Sequence, residues 1–161
     1  MTWFAAKEHC MRKGGKLVEI DSEEENTALV DEINRRGYKK KEMHFWIGLT
    51  DLEKGGDWRL ASNGLKPSYL HWHEGEPNGK GSKQQCARVR VGPKPFWKDT
   101  WSDISCNVET VRNWNHDQGQ YYPAFSLHAL CEFDASKEDT TSDGTTTEGA
   151  ATEGLSTKSQ T

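Results

Sequence analysis

The chain has 161 residues, enough for one domain and an appendage. Its formal net charge of −4 is carried at the end: six acids and two bases follow from Asp134, against 19 acids and 19 bases in residues 1–133. An electroneutral body excludes wholesale phosphate neutralisation, and no run approaches the roughly 20 apolar residues of a membrane helix.

Thr2 is placed to cap a first helix running to Gly14-Gly15, with Trp3, Ala6 and Cys10 on one face. Met1 leads straight into that helix with no secretory signal before it, so the chain is expected to be a truncated form of a longer product. Lys16–Ile20 reads as a strand or extended link. Ser22-Glu23-Glu24-Glu25 is a capping box, with acids where the helix dipole favours them. The second helix is expected to turn Leu29, Val30 and Ile33 inward and to end near Gly37.

His44-Phe45-Trp46-Ile47-Gly48-Leu49 is the densest apolar run and predicts a core strand. From Thr50 to Lys83 the chain is rich in Gly, Asn, Asp, Lys and Ser, and a loop region of that length inside a domain is usually functional. Trp58 and Trp72 within it predict packing. Cys86 to Val91 alternates as a strand, and Pro93 and Pro95 break it. Phe96-Trp97 to Trp101 opens another strand or hairpin arm. Leu127 to Phe133 predicts one last strand, with Leu127, Ala129, Cys131 and Phe133 on one face. Beyond Phe133 the composition is Thr, Ser, Gly, Glu and Ala, which predicts a disordered tail over 134–161. Its Thr clusters suit O-glycans as well as they suit a bare tail.

The four cysteines, Cys10, Cys86, Cys106 and Cys131, form no C-x-x-C pair and allow three disulfide pairings. An even count without zinc spacing points to an oxidising, secreted setting. Four buried free thiols are the competing reading.

Chemistry concentrates between Glu76 and Cys106. Glu76-Pro77-Asn78 sets a carboxylate and an amide around a proline, and Trp101-Ser102-Asp103 brings a second carboxylate. Carboxylate and amide oxygens are ligands of the kind Ca²⁺ prefers. The two helices, Trp46-Ile47-Gly48-Leu49, Glu76-Pro77-Asn78, Trp101-Ser102-Asp103 and the four ordered cysteines together resemble the C-type lectin domain family over residues 1–133. The family's first strand, which normally precedes the first helix, is missing.

The resemblance implies an α+β C-type lectin-like fold: two helices, small antiparallel sheets, a long calcium- and sugar-binding loop region and two disulfides, Cys10–Cys131 and Cys86–Cys106. It implies calcium-dependent binding of mannose-, glucose- or fucose-type glycans by a secreted, non-enzymatic protein, with a role in innate recognition. One Ca²⁺ is expected on Glu76, Asn78, Gln84, Ser102 and Asp103, with Glu76, Asn78 and Asp103 meeting the sugar and a cis bond before Pro77. Gln84 and Ser102 depart from the family's Glu and Asn, which lowers ligand charge and predicts weak affinity, toward about 10⁻³ M. At the auxiliary calcium site Asp51 fits, while Gly55 and Gly79 stand where acids serve, so one ion is expected. A lectin-like domain that binds a protein partner without calcium or sugar is the second reading.

Three other features are weaker. His71-Trp72-His73 offers zinc two imidazoles, with His44, His116 and Glu74 as further candidates; exposed strand histidines explain the pattern better. Arg35-Arg36 and Lys39-Lys40-Lys41 suit a polyanion less well than a solvated helix end. Trp97 is the tryptophan best suited to sugar stacking. Glu74 with Glu76 resembles a glycosidase pair only loosely, and no nucleophile elbow, Walker loop or H-E-x-x-H exists.

Overall fold

The computed structural model describes residues 1–37, 42–79, 83–92, 99–111, 114–115, 120–121 and 125–135. The first helix, α1 (Trp3–Arg12), begins where the Thr2 hydroxyl accepts the Ala5 amide at 3.2 Å, satisfying one orphan donor. It buries Trp3, Ala6 and Cys10, and Gly14 at φ +81 supplies the left-handed residue that turns the chain out. The second helix, α2 (Glu23–Arg35), starts on Ser22, whose hydroxyl accepts the Glu25 amide, while the Glu25 carboxylate reaches back to the Asp21 amide at 2.7 Å. Its buried face is Asn26, Val30 and Ile33, and Leu29 is only partly covered.

The centre is β2 (Met43–Thr50). Side chains alternate across a strand, so β2 feeds two cores. Phe45, Ile47 and Leu49 join Val89, Val91, Trp101, Val30 and Ile33 on one face. Trp46 joins Trp3, Cys10, Leu17, Leu127 and the Cys86–Cys106 bridge on the other. Antiparallel to β2 lies β4 (Gln84–Val91), and beyond it β5 (Trp101–Ser105). On the opposite edge β9 (Phe125–Ala129) runs parallel to β2 and carries β6 (Thr110–Val111); β3 (Arg59–Leu60) pairs with the end of β2. Two small ladders stand apart: β1 (Lys16–Leu17) with β10 (Cys131–Glu132), and β7 (Trp114–Asn115) with β8 (Gln120–Tyr121).

The single last strand expected over 127–133 is two strands. Leu130 lies between them, where its carbonyl accepts the Val18 amide instead. The chain thereby leaves the parallel partner β2 for the antiparallel partner β1. Leu127 is buried, but Phe133 is half exposed and does not share that face. The strand or hairpin arm expected over 96–101 is described only from Asp99, with β5 starting at Trp101, and residues 93–98 lie outside the described ones. So do Lys39–41, His116 and the tail beyond residue 135.

The disulfides join Cys10 to Cys131 and Cys86 to Cys106, the pairing the family resemblance implies. The first ties α1 to β10 across 121 residues. Glu19, buried, fastens the long loop to the body. Its carboxylate accepts the Ser62 amide and hydroxyl, each at 2.7 Å, and the Lys16 ammonium at 2.6 Å. A side chain at Gly48 would meet the Glu19 Cγ at 2.7 Å and the Leu17 carbonyl at 2.9 Å, so glycine lets this segment lie against β2. Glu19→Ala is expected to cost about 1–3 kcal/mol, because it removes the charge-assisted bonds from the Ser62 amide and hydroxyl and from Lys16. A urea titration with unchanged m-value checks it.

Candidate functional site

Two parallel segments build the site. The backbone of 71–73 runs beside Trp101: the Trp101 amide donates to the His71 carbonyl and the His73 amide to the Trp101 carbonyl, both at 2.8 Å. The Trp101 indole is fixed from beneath, its Nε1 donating to Asn26 Oδ1 of α2 at 3.0 Å and its rings edge-on to Tyr69 and Trp72. The loop rests on Trp58 against Trp72, centroids 4.7 Å apart. Both segments therefore reach the site on packed aromatic supports.

The Glu76–Pro77 peptide is cis. Just after it, the Asp103 carboxylate accepts the Asn78 amide at 3.0 Å and the Gly79 amide at 2.7 Å. Glu76 accepts the same Asn78 amide at 3.3 Å and the Asn78 side-chain amide at 3.1 Å. Glu76 and Asn78 are thus brought into one cluster with Asp103, 25 residues beyond Asn78. Burial first, then the Asp103 carboxylate beside it, pushes the Glu76 carboxyl up to about 7. Two acids forced into each other's field form an arrangement that a cation relieves, so this trio fits Ca²⁺.

Ser102 does not join them. Successive strand residues face opposite ways, and while Asp103 turns to the loop, the Ser102 hydroxyl accepts Arg88 Nε at 3.0 Å. Gln84 opens β4 in register with Ser105. At the auxiliary position Asp51 Oδ2 accepts the Gly56 amide at 2.6 Å, and Oδ1 is buried with no hydrogen-bond partner among the described residues. Asp51, Gly56, Trp58, Pro77 and Asp103 line a cavity of about 180 Å³. Gly55 has open space around it, and the Gly79 amide is spent on Asp103. Among the described residues no three His, Cys, Asp or Glu side chains converge as a metal cluster.

The histidine pair goes elsewhere: His71 stacks on Tyr69, and His73 Nδ1 lies 3.2 Å from Thr100 Oγ1. His44 is fully buried in a different network. Arg35 and Arg36 both pair with Glu32 at 2.7 Å, a surface arrangement worth little.

Arg88 and Arg90 are buried, at 6% and 9% exposure, and sequence reasoning overlooked them. Their alternation with Ala87, Val89 and Val91 reads like a solvent face. Cys86 shares that face, and its bridge to Cys106 was the sign that the face is covered. Arg88 Nη1 lies 2.9 Å from His44 Nδ1. A guanidinium only donates, so Nδ1 accepts and the neutral ring carries its proton on Nε2, 3.1 Å from Glu42 Oε1. Burial, with Arg88 and Arg90 adding to it, lowers the His44 pKa to about 4, in keeping with a neutral ring.

The Lectin C-type domain family model matches residues 1–114, over two thirds of the chain. The chain belongs to the C-type lectin domain family. This C-type lectin is 34% identical over 112 residues to a perlucin-like protein of Mytilus galloprovincialis, covering 68% of this chain and 65% of that one. The chain therefore spans just under two thirds of that relative. Among solved structures the lectin resembles the mouse scavenger receptor C-type lectin carbohydrate-recognition domain, at 27% identity and a TM-score of 0.54 over 66% of this chain and 73% of that one. It also resembles a calcium-independent type II antifreeze protein, at 26% identity and a TM-score of 0.53 over 67% and 72%. The chain thus has the fold of such domains and belongs to a family of non-enzymatic binding domains. No helix among the described residues is long and apolar enough to cross a membrane.

Proposed function

We propose that this domain binds glycans with mannose-, glucose- or fucose-type vicinal hydroxyls through one weakly held calcium ion, outside the cell and with a part in innate recognition. Glu76, Asn78 and Asp103 hold the ion in this reading, with Gln84 at the margin and Ser102 turned to Arg88 instead. The ion would supply a Lewis-acidic centre for the two hydroxyls. Glu76 then accepts a hydrogen bond from one sugar hydroxyl and the Asn78 side chain donates one to a sugar oxygen. The observation that carries the reading is the pairing of the Glu76 and Asp103 carboxylates around Asn78. Two disulfides favour an oxidising compartment. The lectin domain is taken as 1–133, followed by a Thr/Ser-rich tail over 134–161. Retention on mannose resin in millimolar calcium, released by EDTA, tests it; a folded, disulfide-intact sample that flows through sinks it.

Glu76 makes this binding pH-sensitive. Its raised pKa means the metal-free protein keeps a proton that calcium must displace. Apparent calcium affinity is expected to fall about tenfold per pH unit below about 7 and to level off above it. In EDTA the sign reverses for stability. A carboxyl raised in the folded state favours folding below the ordinary carboxylate range, and that contribution is lost as pH rises through about 7. Melting curves from pH 4 to 8, with Glu76→Gln as the flat control, check both arms.

A second reading, protein recognition without calcium, is favoured by one observation: Ser102 is engaged by Arg88 rather than by the loop. Partner capture indifferent to EDTA would select it.

A further inference from the structure

The ligand strand β5 lies against a chain of buried charges that no calcium site requires. Ser102 accepts from Arg88, Arg88 donates to His44, and His44 and Arg90 both meet Glu42, at 3.1 Å and 3.3 Å. Two guanidiniums face one carboxylate and one neutral imidazole, so the chain carries a net positive charge. Its excess falls toward the site. Arg88 is hydrogen-bonded to the residue next to Asp103, and the fields of Glu76 and Asp103 both act on it. Arg90 feels Glu76 as well. A buried cation is retained only where partners compensate its lost hydration; Arg88 has Ser102 and His44 in contact and the charges of Glu42, Glu76 and Asp103 acting on it.

We propose that Arg88 is an internal counter-cation of the Glu76–Asp103 cluster, holding Ser102 out of the ligand set and opposing a divalent ion, so that Arg88 sets the calcium affinity of this domain. The inference rests on the calcium reading above and deepens it. Its physical content is competition. The carboxylates that would hold Ca²⁺ are partly neutralised by a charge that cannot leave, because the guanidinium stays protonated and its Nε and Nη1 are both occupied. The ion arriving at Glu76 and Asp103 meets the field of a fixed, buried positive charge held on the adjacent residue Ser102, where repulsion is less screened than in water. In the ion's absence the same charge keeps two adjacent carboxylates tolerable, which makes an ordered, metal-free site a stable form of the protein.

Calcium titration followed by calorimetry and tryptophan fluorescence, on disulfide-intact protein at pH 7.5, tests this without any sugar. Arg88→Gln removes the charge, Arg88→Lys keeps it while losing the Nε bond, and Ser102→Ala removes the hydroxyl with little change in volume. Arg88→Gln is expected to bind calcium about tenfold tighter or better than the parent. Arg88→Lys is expected to stay within about threefold of the parent, because the charge and not the hydrogen bond opposes the ion. Ser102→Ala is expected to leave affinity unchanged. A parent that binds calcium while a folded Arg88→Gln binds no tighter overturns the inference and leaves the calcium reading standing. A parent that binds none while Arg88→Gln does bind upholds the inference and overturns calcium-dependent recognition by the natural chain. Silence from both overturns both. Should Arg88→Gln fail to fold, Ser102→Ala decides: a loss of about fivefold or more makes Ser102 a ligand and sinks the proposal.

Discussion

Asp103→Ala is expected to abolish calcium-dependent glycan retention, with a loss of about 100-fold or more in calcium affinity. The size of the effect follows from how much converges on one carboxylate. Both oxygens are engaged by the loop, Oδ1 by the Asn78 amide and Oδ2 by the Gly79 amide. Removing them deletes a charged ligand and also releases the loop that presents the other two. The two stranded amides should cost a further ~1–3 kcal/mol of stability, with Gly79 buried and Asn78 exposed. Asp103→Asn separates these contributions. It keeps an acceptor oxygen for the loop and loses the charge, so stability should be largely kept while calcium binding is lost. Calorimetric calcium titration beside thermal melts of both variants gives the answer. Equal calcium affinity in parent and Asp103→Ala would remove Glu76–Asp103 as the site.

The largest stability effect is expected from the Cys10–Cys131 bridge. Replacing both cysteines with alanine should cost about 4–5 kcal/mol in the chain-entropy view, since the bond closes 121 residues. Total domain stability of about 5–15 kcal/mol leaves little margin after that. The Cys86–Cys106 pair, separated by 20 residues, should cost about 3 kcal/mol. The functional cost runs the other way, because Cys86 lies in β4 and Cys106 just after β5, so their bond helps hold the two strands that carry Arg88 and Asp103 in register. Urea curves of the two double variants, with and without reductant, rank the bonds. A smaller loss for Cys10–Cys131 than for Cys86–Cys106 would contradict the loop-length argument.

Much of the architecture was legible because local signals agreed with the fold. Thr2 and Ser22 cap the helices they were expected to cap, and the apolar run at 44–49 is the central strand. The trio Glu76, Asn78 and Asp103 was legible from ligand chemistry and ordered motifs, and the fold brings it together. Two things were not. The break at Leu130 depends on which strand waits on each side, and that is a tertiary fact invisible to periodicity. The inward turn of Arg88 and Arg90 reverses the usual meaning of charge at alternate positions, and only the neighbouring Cys86 hinted at it. The partner of Ser102 was hidden for the same reason: it is an arginine fourteen residues earlier, which no motif announces.

The strand order also bears on how the molecule can be made. Lys16 pairs with Glu132 and His44 with Leu127, so the earliest strands wait for the latest ones. A nascent chain emerging from the ribosome holds no self-sufficient piece until β10 is out, because β1 and one edge of β2 have no neighbour before then. Closure is therefore a late event dominated by contacts distant along the chain, of the kind that folds slowly. A product that stops short of Glu132 would lose the site at Glu76 and Asp103 even though every residue of that site had already been synthesised.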